Sequence, residues 1–161
     1  MRIPRLTEVL EAFPGVRLNI EVKPGAPGTD EAFARIVEAA GIAHRICVGS
    51  EDDAVAARLV DLLPDVCHFY PRLALISLVM ELKQGAARPP LDAPYLVLDM
   101  PLSYEGVRLV DRDFVDSARA LGRWVNVWVV DDEPEMRKLV EEGVGGIMTD
   151  RPDLLRAVLD S

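Results

Sequence analysis

Six strand-like segments, each followed by a helix-like one, run through this sequence in series with no linker between them. That alternation governs what the chain can fold into. Parallel strands cannot be joined by tight hairpins and need crossover connections, usually helices. Those crossovers are right-handed. A parallel α/β sheet follows. Strands are predicted over 16–22, 45–49, 66–69, 95–99, 124–130 and 146–149. Helices are predicted over 30–40, 50–63, 71–85, 114–121, 133–142 and 153–159, with a short one over 6–13 ahead of the first strand. A Pro-rich connection covers 87–94, and Ser103, Tyr104 and Glu105 sit in a loop. Phe33, Ile36, Val37 and Ala40 recur at helical spacing. Ser50 with Asp53 three places on reads as a capping box, and Pro71 stands where a helix start accepts proline. Gly122 and Gly143 end their helices.

Two architectures satisfy this order, an open doubly wound sheet or part of an eightfold barrel. Glu21, Ser50, Asp99, Asp131 and Thr149 stand at or just past the C-terminal ends of five different strands. A barrel gathers that end of every strand into one site. An open sheet gathers only those at a switch point. No GxGxxG follows the first strand, which weakens a dinucleotide reading. The expectation is one domain over 1–161, a TIM-type (β/α)8 barrel that is incomplete, with about six βα units.

The first strand carries the most chemistry. Val16, Leu18, Ile20 and Val22 alternate with Arg17, Asn19, Glu21 and Lys23. Side chains two apart share a face, and parallel strands are normally apolar on both. A polar face is costly unless it meets water, a ligand or partner charges. Glu21 is therefore a candidate metal ligand or general base, and Lys23 a candidate anion contact, unless the two simply pair with each other. One carboxylate does not hold a hard cation, which takes about six or more oxygens. Asp99 is either a second contributor or a loop carboxylate. On the fifth strand, Trp124, Asn126, Trp128 and Val130 are expected to face the barrel interior, with Val125, Val127 and Val129 toward the helices. Trp128 is either an apolar wall beside a substrate carbon chain or interior filler.

Charge excludes some functions. With 18 basic and 27 acidic residues the net charge is −9, which is unsuited to nucleic acid or an anionic membrane surface. The apolar stretch 73–80 is too short to span a bilayer, and no apolar run follows the basic residues of the N-terminus. A cytoplasmic location is expected. Cys47 and Cys67 read as two buried thiols in a reducing compartment, with a disulfide or metal pair as the alternative.

Two stretches carry a family resemblance. IPRLTEVLEAFPGVRLNIEVK, over 3–23, and VNVWVVDDEPEMRKLVEEGVGGIMTDRPDLL, over 125–155, resemble the glycerophosphodiester phosphodiesterase family. The first has a lead-in helix and a strand ending in Glu-x-Lys. The second has a Trp-bearing strand, an Asp-rich helix start and a last strand ending in Thr-Asp-Arg-Pro. The resemblance implies a TIM barrel of lipid metabolism that hydrolyses glycerophosphodiesters to glycerol 3-phosphate and an alcohol with a divalent cation, Mg²⁺ or Ca²⁺. It implies that Glu21 binds metal, that Lys23 meets the phosphate and that Trp128 lies beside the glycerol moiety.

The family's catalytic histidines, in His-Arg and His-Asp motifs, and its Glu-x-Asp carboxylates precede the lead-in helix, where this sequence begins. Val129 and Gly145 are smaller departures, standing where the family often has Thr and Asp. The expectation is a chain without its first two βα units, with no catalytic residue of its own and negligible activity alone. A non-catalytic glycerophosphate-binding module or a barrel-completing subunit is the alternative. Ile42-Ala43-His44-Arg45 imitates the His-Arg motif but precedes a strand, and His68 reads as a packed or lumen-lining residue. Open barrels leave strand edges that invite pairing, so the strands over 16–22 and 146–149 are expected to support self-association unless upstream sequence covers them.

Overall fold

The structure is a computed structural model and describes residues 2–85 and 94–161. Apart from Pro94, the Pro-rich connection over 87–94 lies outside the described residues. The chain divides into two compact units, 1–73 and 74–161.

The first unit runs α1 (Leu6–Ala12), β1 (Leu18–Glu21), α2 (Thr29–Ala40), a 3-10 turn (Ala43–Arg45), β2 (Ile46–Gly49), α3 (Asp53–Leu62) and β3 (Cys67–Phe69). All its strand pairings are parallel, β1 to β2 and β2 to β3. One face of these strands forms the core. Val22, Ile46 and Val48 pack with Phe33 and Val37 of α2 and Val55 and Leu59 of α3, and Leu18 and Ile20 lean on the same cluster. By strand alternation Asn19 and Glu21 stand on the other face, and both are exposed. The helix α3 is capped by Asp52 and not by Ser50: Asp52 Oδ1 accepts from the Ala54 and Val55 amides at 3.0 and 2.9 Å. Ser50 is fully buried and accepts from the Asp52 amide at 3.2 Å, so it shapes the turn that presents the cap.

The division between the units falls within α4 (Arg72–Lys83). The second unit continues with β4 (Tyr95–Pro101), β5 (Ser103–Tyr104), β6 (Val107–Arg108), α5 (Arg112–Ala120), β7 (Trp124–Trp128), α6 (Glu133–Glu142), β8 (Gly146–Ile147) and α7 (Pro152–Leu159). β7 lies parallel to β4 on one side and to β8 on the other. Leu98, Met100, Val125 and Val127 are buried on one face, and Phe114, Ala118, Met136 and Leu139 of the helices are buried with them. The expected loop at 103–105 is instead an antiparallel hairpin of β5 and β6. Its two central residues, Glu105 and Gly106, have φ of 48° and 79°. A two-residue hairpin of type I′ needs positive φ at both positions.

Candidate functional site

In the first unit the face away from the helices is built in rows by the parallel register. Asn19 is paired with Cys47 and Cys47 with Cys67; one step up, Glu21 is paired with Gly49. Glu21 is the last residue of β1 and Lys23 follows two places on. Their side chains form an ion pair, Lys23 Nζ to Glu21 Oε2 at 2.8 Å, with Lys23 74% and Glu21 31% exposed. The carboxylate of Glu21, with a smaller contribution from Glu51, holds the Lys23 ammonium above the ordinary lysine range. Lys23 thus keeps its charge and remains open to solvent. It also lines a depression of about 230 Å³ with Thr29, Asp30 and Arg58. There Arg58 pairs with the buried Asp30 carboxylate and pushes it down to about 2.

Beside Glu21 lies a feature that sequence reasoning missed. Gly49 faces the ring of Phe69: a Cβ built on Gly49 meets Phe69 ring carbons at 2.7 Å. A glycine in a strand signals close approach, but Gly49 is the last residue of β2, where a glycine reads equally as the start of a turn. Neither reading says which residue comes close.

In the second unit the corresponding face carries Trp124, Asn126 and Trp128 of β7, with Asp99 of β4 in register beside Asn126. Asn126 Nδ2 donates to Asp99 Oδ1 at 2.8 Å. The Asp99 carboxylate is therefore engaged by a neighbouring strand, as a structural carboxylate would be. Trp128 ends β7 on the face opposite the buried Val125 and Val127, and is 37% exposed. The strand was expected to continue to Val130 with Val129 toward the helices. It stops at Trp128, Val129 is exposed and Val130 is buried, its amide donating to Met148 O at 3.0 Å. Asp131 anchors the Thr-Asp-Arg-Pro segment: its Oδ1 accepts from Thr149 Oγ1 at 2.7 Å and from the Asp150 amide at 2.8 Å. Thr149 Oγ1 in turn accepts from the Arg151 amide at 2.9 Å. This motif is a hydrogen-bonded turn that launches α7.

The two histidines sit apart from these faces. His44 lies in the 3-10 turn ahead of β2, as its position before a strand implied. His68 is buried, with a ring nitrogen 2.9 Å from Leu63 O. Among the described residues no three His, Cys, Asp or Glu side chains come together as a metal-holding group. Among them, too, no helix is long and apolar enough to cross a membrane.

Comparison with known proteins adds an independent line. The glycerophosphoryl diester phosphodiesterase family profile matches residues 1–154. A probable glycerophosphodiester phosphodiesterase 2 of Mycobacterium tuberculosis is 31% identical, over 98% of this chain and 60% of its own length. A glycerophosphodiester phosphodiesterase of Parabacteroides distasonis has a structure matching with a TM-score of 0.68 at 25% identity, over 95% of this chain and 61% of that one. A phosphodiesterase of Oleispira antarctica, solved in complex with the product sn-glycerol-3-phosphate, matches with a TM-score of 0.69 at 22% identity, over 98% of this chain and 62% of that one. The parallel α/β fold expected from the sequence is thus the fold of these enzymes, and the chain spans about 60% of the length of the curated relative it matches. With the family match running through both units and most of the sequence, the chain belongs to the glycerophosphoryl diester phosphodiesterase family.

Proposed function

We propose that residues 1–161 are part of one barrel domain of a glycerophosphodiester phosphodiesterase, and that they supply its phosphate-facing side. The reaction in this reading is hydrolysis of a glycerophosphodiester to glycerol 3-phosphate and an alcohol. The observation that carries it is the position of Glu21, on the face away from the helices at the C-terminal end of β1, with Lys23 paired to it just past the strand and the ammonium largely exposed. That end of the strands is where barrels of this kind hold their sites. Lys23 then meets the phosphate, Glu21 gives one oxygen donor to a divalent cation such as Mg²⁺ or Ca²⁺, and Trp128 flanks the glycerol carbons. The Oleispira relative's complex with sn-glycerol-3-phosphate supports the substrate class. A cytoplasmic setting in lipid metabolism is proposed with it.

Among the described residues the donors do not by themselves fit a complete cation site. A hard cation takes about six or more oxygens, whereas Glu21 is one carboxylate already paired with Lys23. No step of turnover is therefore assigned through a metal on these residues. The acid–base side is equally bare, with His68 buried against a carbonyl and His44 ahead of its strand. Residues that act as a unit leave little catalysis when most are missing. The isolated chain is expected to bind glycerol 3-phosphate weakly and to turn over glycerophosphocholine negligibly with either cation. Calorimetry and a phosphodiesterase assay test this. Lys23→Ala should weaken binding several-fold. No binding at millimolar ligand refutes the phosphate role, and turnover that Glu21→Gln abolishes refutes the inactivity.

A second reading, a subunit that completes a barrel with another copy or chain, is favoured by β1 and β8. Among the described residues each pairs with one strand only, and unpaired edges invite partners. A sedimentation profile that stays monomeric at high concentration counts against it.

A further inference from the structure

The first unit brings the two cysteines of the sequence side by side. Cys47 on β2 and Cys67 on β3 are direct register partners. Their Sγ atoms are 3.4 Å apart, with the Cys67 thiol directed at Cys47. They share a sheet face with Asn19, one row below Glu21 and Gly49. Both residues are half-buried.

We propose that Cys47 and Cys67 form a dithiol site that small-molecule disulfides close into a cross-strand disulfide. Neighbouring strands lie about 4.7–4.9 Å apart, within the roughly 4.4–6.8 Å Cα separation that a disulfide spans. Register partners in a parallel pair project from the same face, so neither side chain crosses the sheet to reach the other. The sulfurs need only close to bonding distance, about 2.05 Å. The chemistry is two successive exchanges. One protein thiolate attacks a sulfur of the small disulfide, forming a mixed disulfide and releasing one thiolate. The second protein thiolate then attacks the protein sulfur of that mixed disulfide, forming the Cys47–Cys67 bond and releasing the second small thiolate. Two electrons pass to the small disulfide, and the two thiol protons end on its two thiol products.

The site ties β2 to β3 directly beneath the row that holds Glu21, and it stands independently of the proposed phosphodiesterase role. The test incubates the native chain with oxidised glutathione, then measures intact mass and maps peptides without reduction. The expected result is a mass loss of two hydrogens, loss of both thiols together and a Cys47–Cys67 linked peptide, all reversed by dithiothreitol. Cys47→Ser and Cys67→Ser should each stop at a single glutathione adduct. Persistent glutathione adducts on the unsubstituted chain, links between chains, or thiols that react only in denaturant would each overturn the proposal.

Discussion

Replacing Gly49 by alanine probes the packing immediately beside Glu21. The new Cβ would lie 2.7 Å from Cδ2 and Cε2 of Phe69 and 2.8 Å from its Cγ. Carbon atoms rest about 3.5–4.0 Å apart, so the ring has to yield by roughly an ångström. Phe69 is only 5% exposed, and its ring moves as a rigid plate, unlike the end of a flexible chain. Overpacking of this kind costs about 1–3 kcal/mol. For a chain of this size each kcal/mol lowers Tm by about 2–4 °C, so a cost near 2 kcal/mol lowers Tm by about 4–8 °C. Thermal and urea unfolding of Gly49→Ala measure it. The same substitution in a Phe69→Leu background supplies the control, because a leucine can adjust its rotamer; there the alanine should cost less than about 1 kcal/mol. An unchanged Tm in the otherwise native chain, or equal costs in both backgrounds, refutes the contact as the reason for glycine at 49.

The other expectations concern charge. Asp30 is held at about 2, below its ordinary 3.8, first by Arg58. A depressed carboxylate stabilises the fold above its ordinary value and loses that contribution as pH falls through the folded one, so the Tm difference between the native chain and Arg58→Met should shrink between pH 3.8 and about 2. Arg108 bridges Glu135 at 2.8 Å and Glu142 at 3.0 Å and donates to Val110 O at 2.7 Å. Arg108→Met strands two half-buried carboxylates and should cost about 2 kcal/mol in urea unfolding; a cost near zero removes this bridge from the account of the second unit's stability. Asp131→Ala withdraws the acceptor of the Asp150 amide, and an exposed bond worth about 1 kcal/mol predicts about fivefold faster hydrogen exchange at that amide.

Local rules made most of the fold legible. The helix predicted over 133–142 is α6 as found, because Asp132 caps it, proline stands in its first turn and Gly143 closes it at φ 83°. The first strand's alternation likewise separated Leu18, Ile20 and Val22, which pack in the core, from Asn19 and Glu21, which do not. What escaped depends on partners distant in sequence. Asp99 had two readings until Asn126, 27 residues on, proved to be its donor. Gly49 needed Phe69, and the juxtaposition of Cys47 with Cys67 needed the register of two strands. The hairpin at 103–108 was missed for a nearer reason: Glu-Gly is not the Asn-Gly or Asp-Gly signal that marks such turns, and Glu105 adopts positive φ without it.

The two faces of the chain at and just past β1 contribute unequally to the stability of this unit. Ile20 and Val22 lean into the cluster with Phe33, Val37 and Leu59, and truncating such residues removes buried area. Glu21 and Lys23 contribute an exposed ion pair, and pairs of that kind are worth about 0–1 kcal/mol. Exchanging either for a neutral residue therefore leaves the fold nearly as stable while removing the charge that a phosphate or cation would meet. That small contribution is what makes Lys23→Ala a readable test of the proposed phosphate contact: a loss of glycerol 3-phosphate binding in a chain that stays as stable is a loss of contact and not of fold.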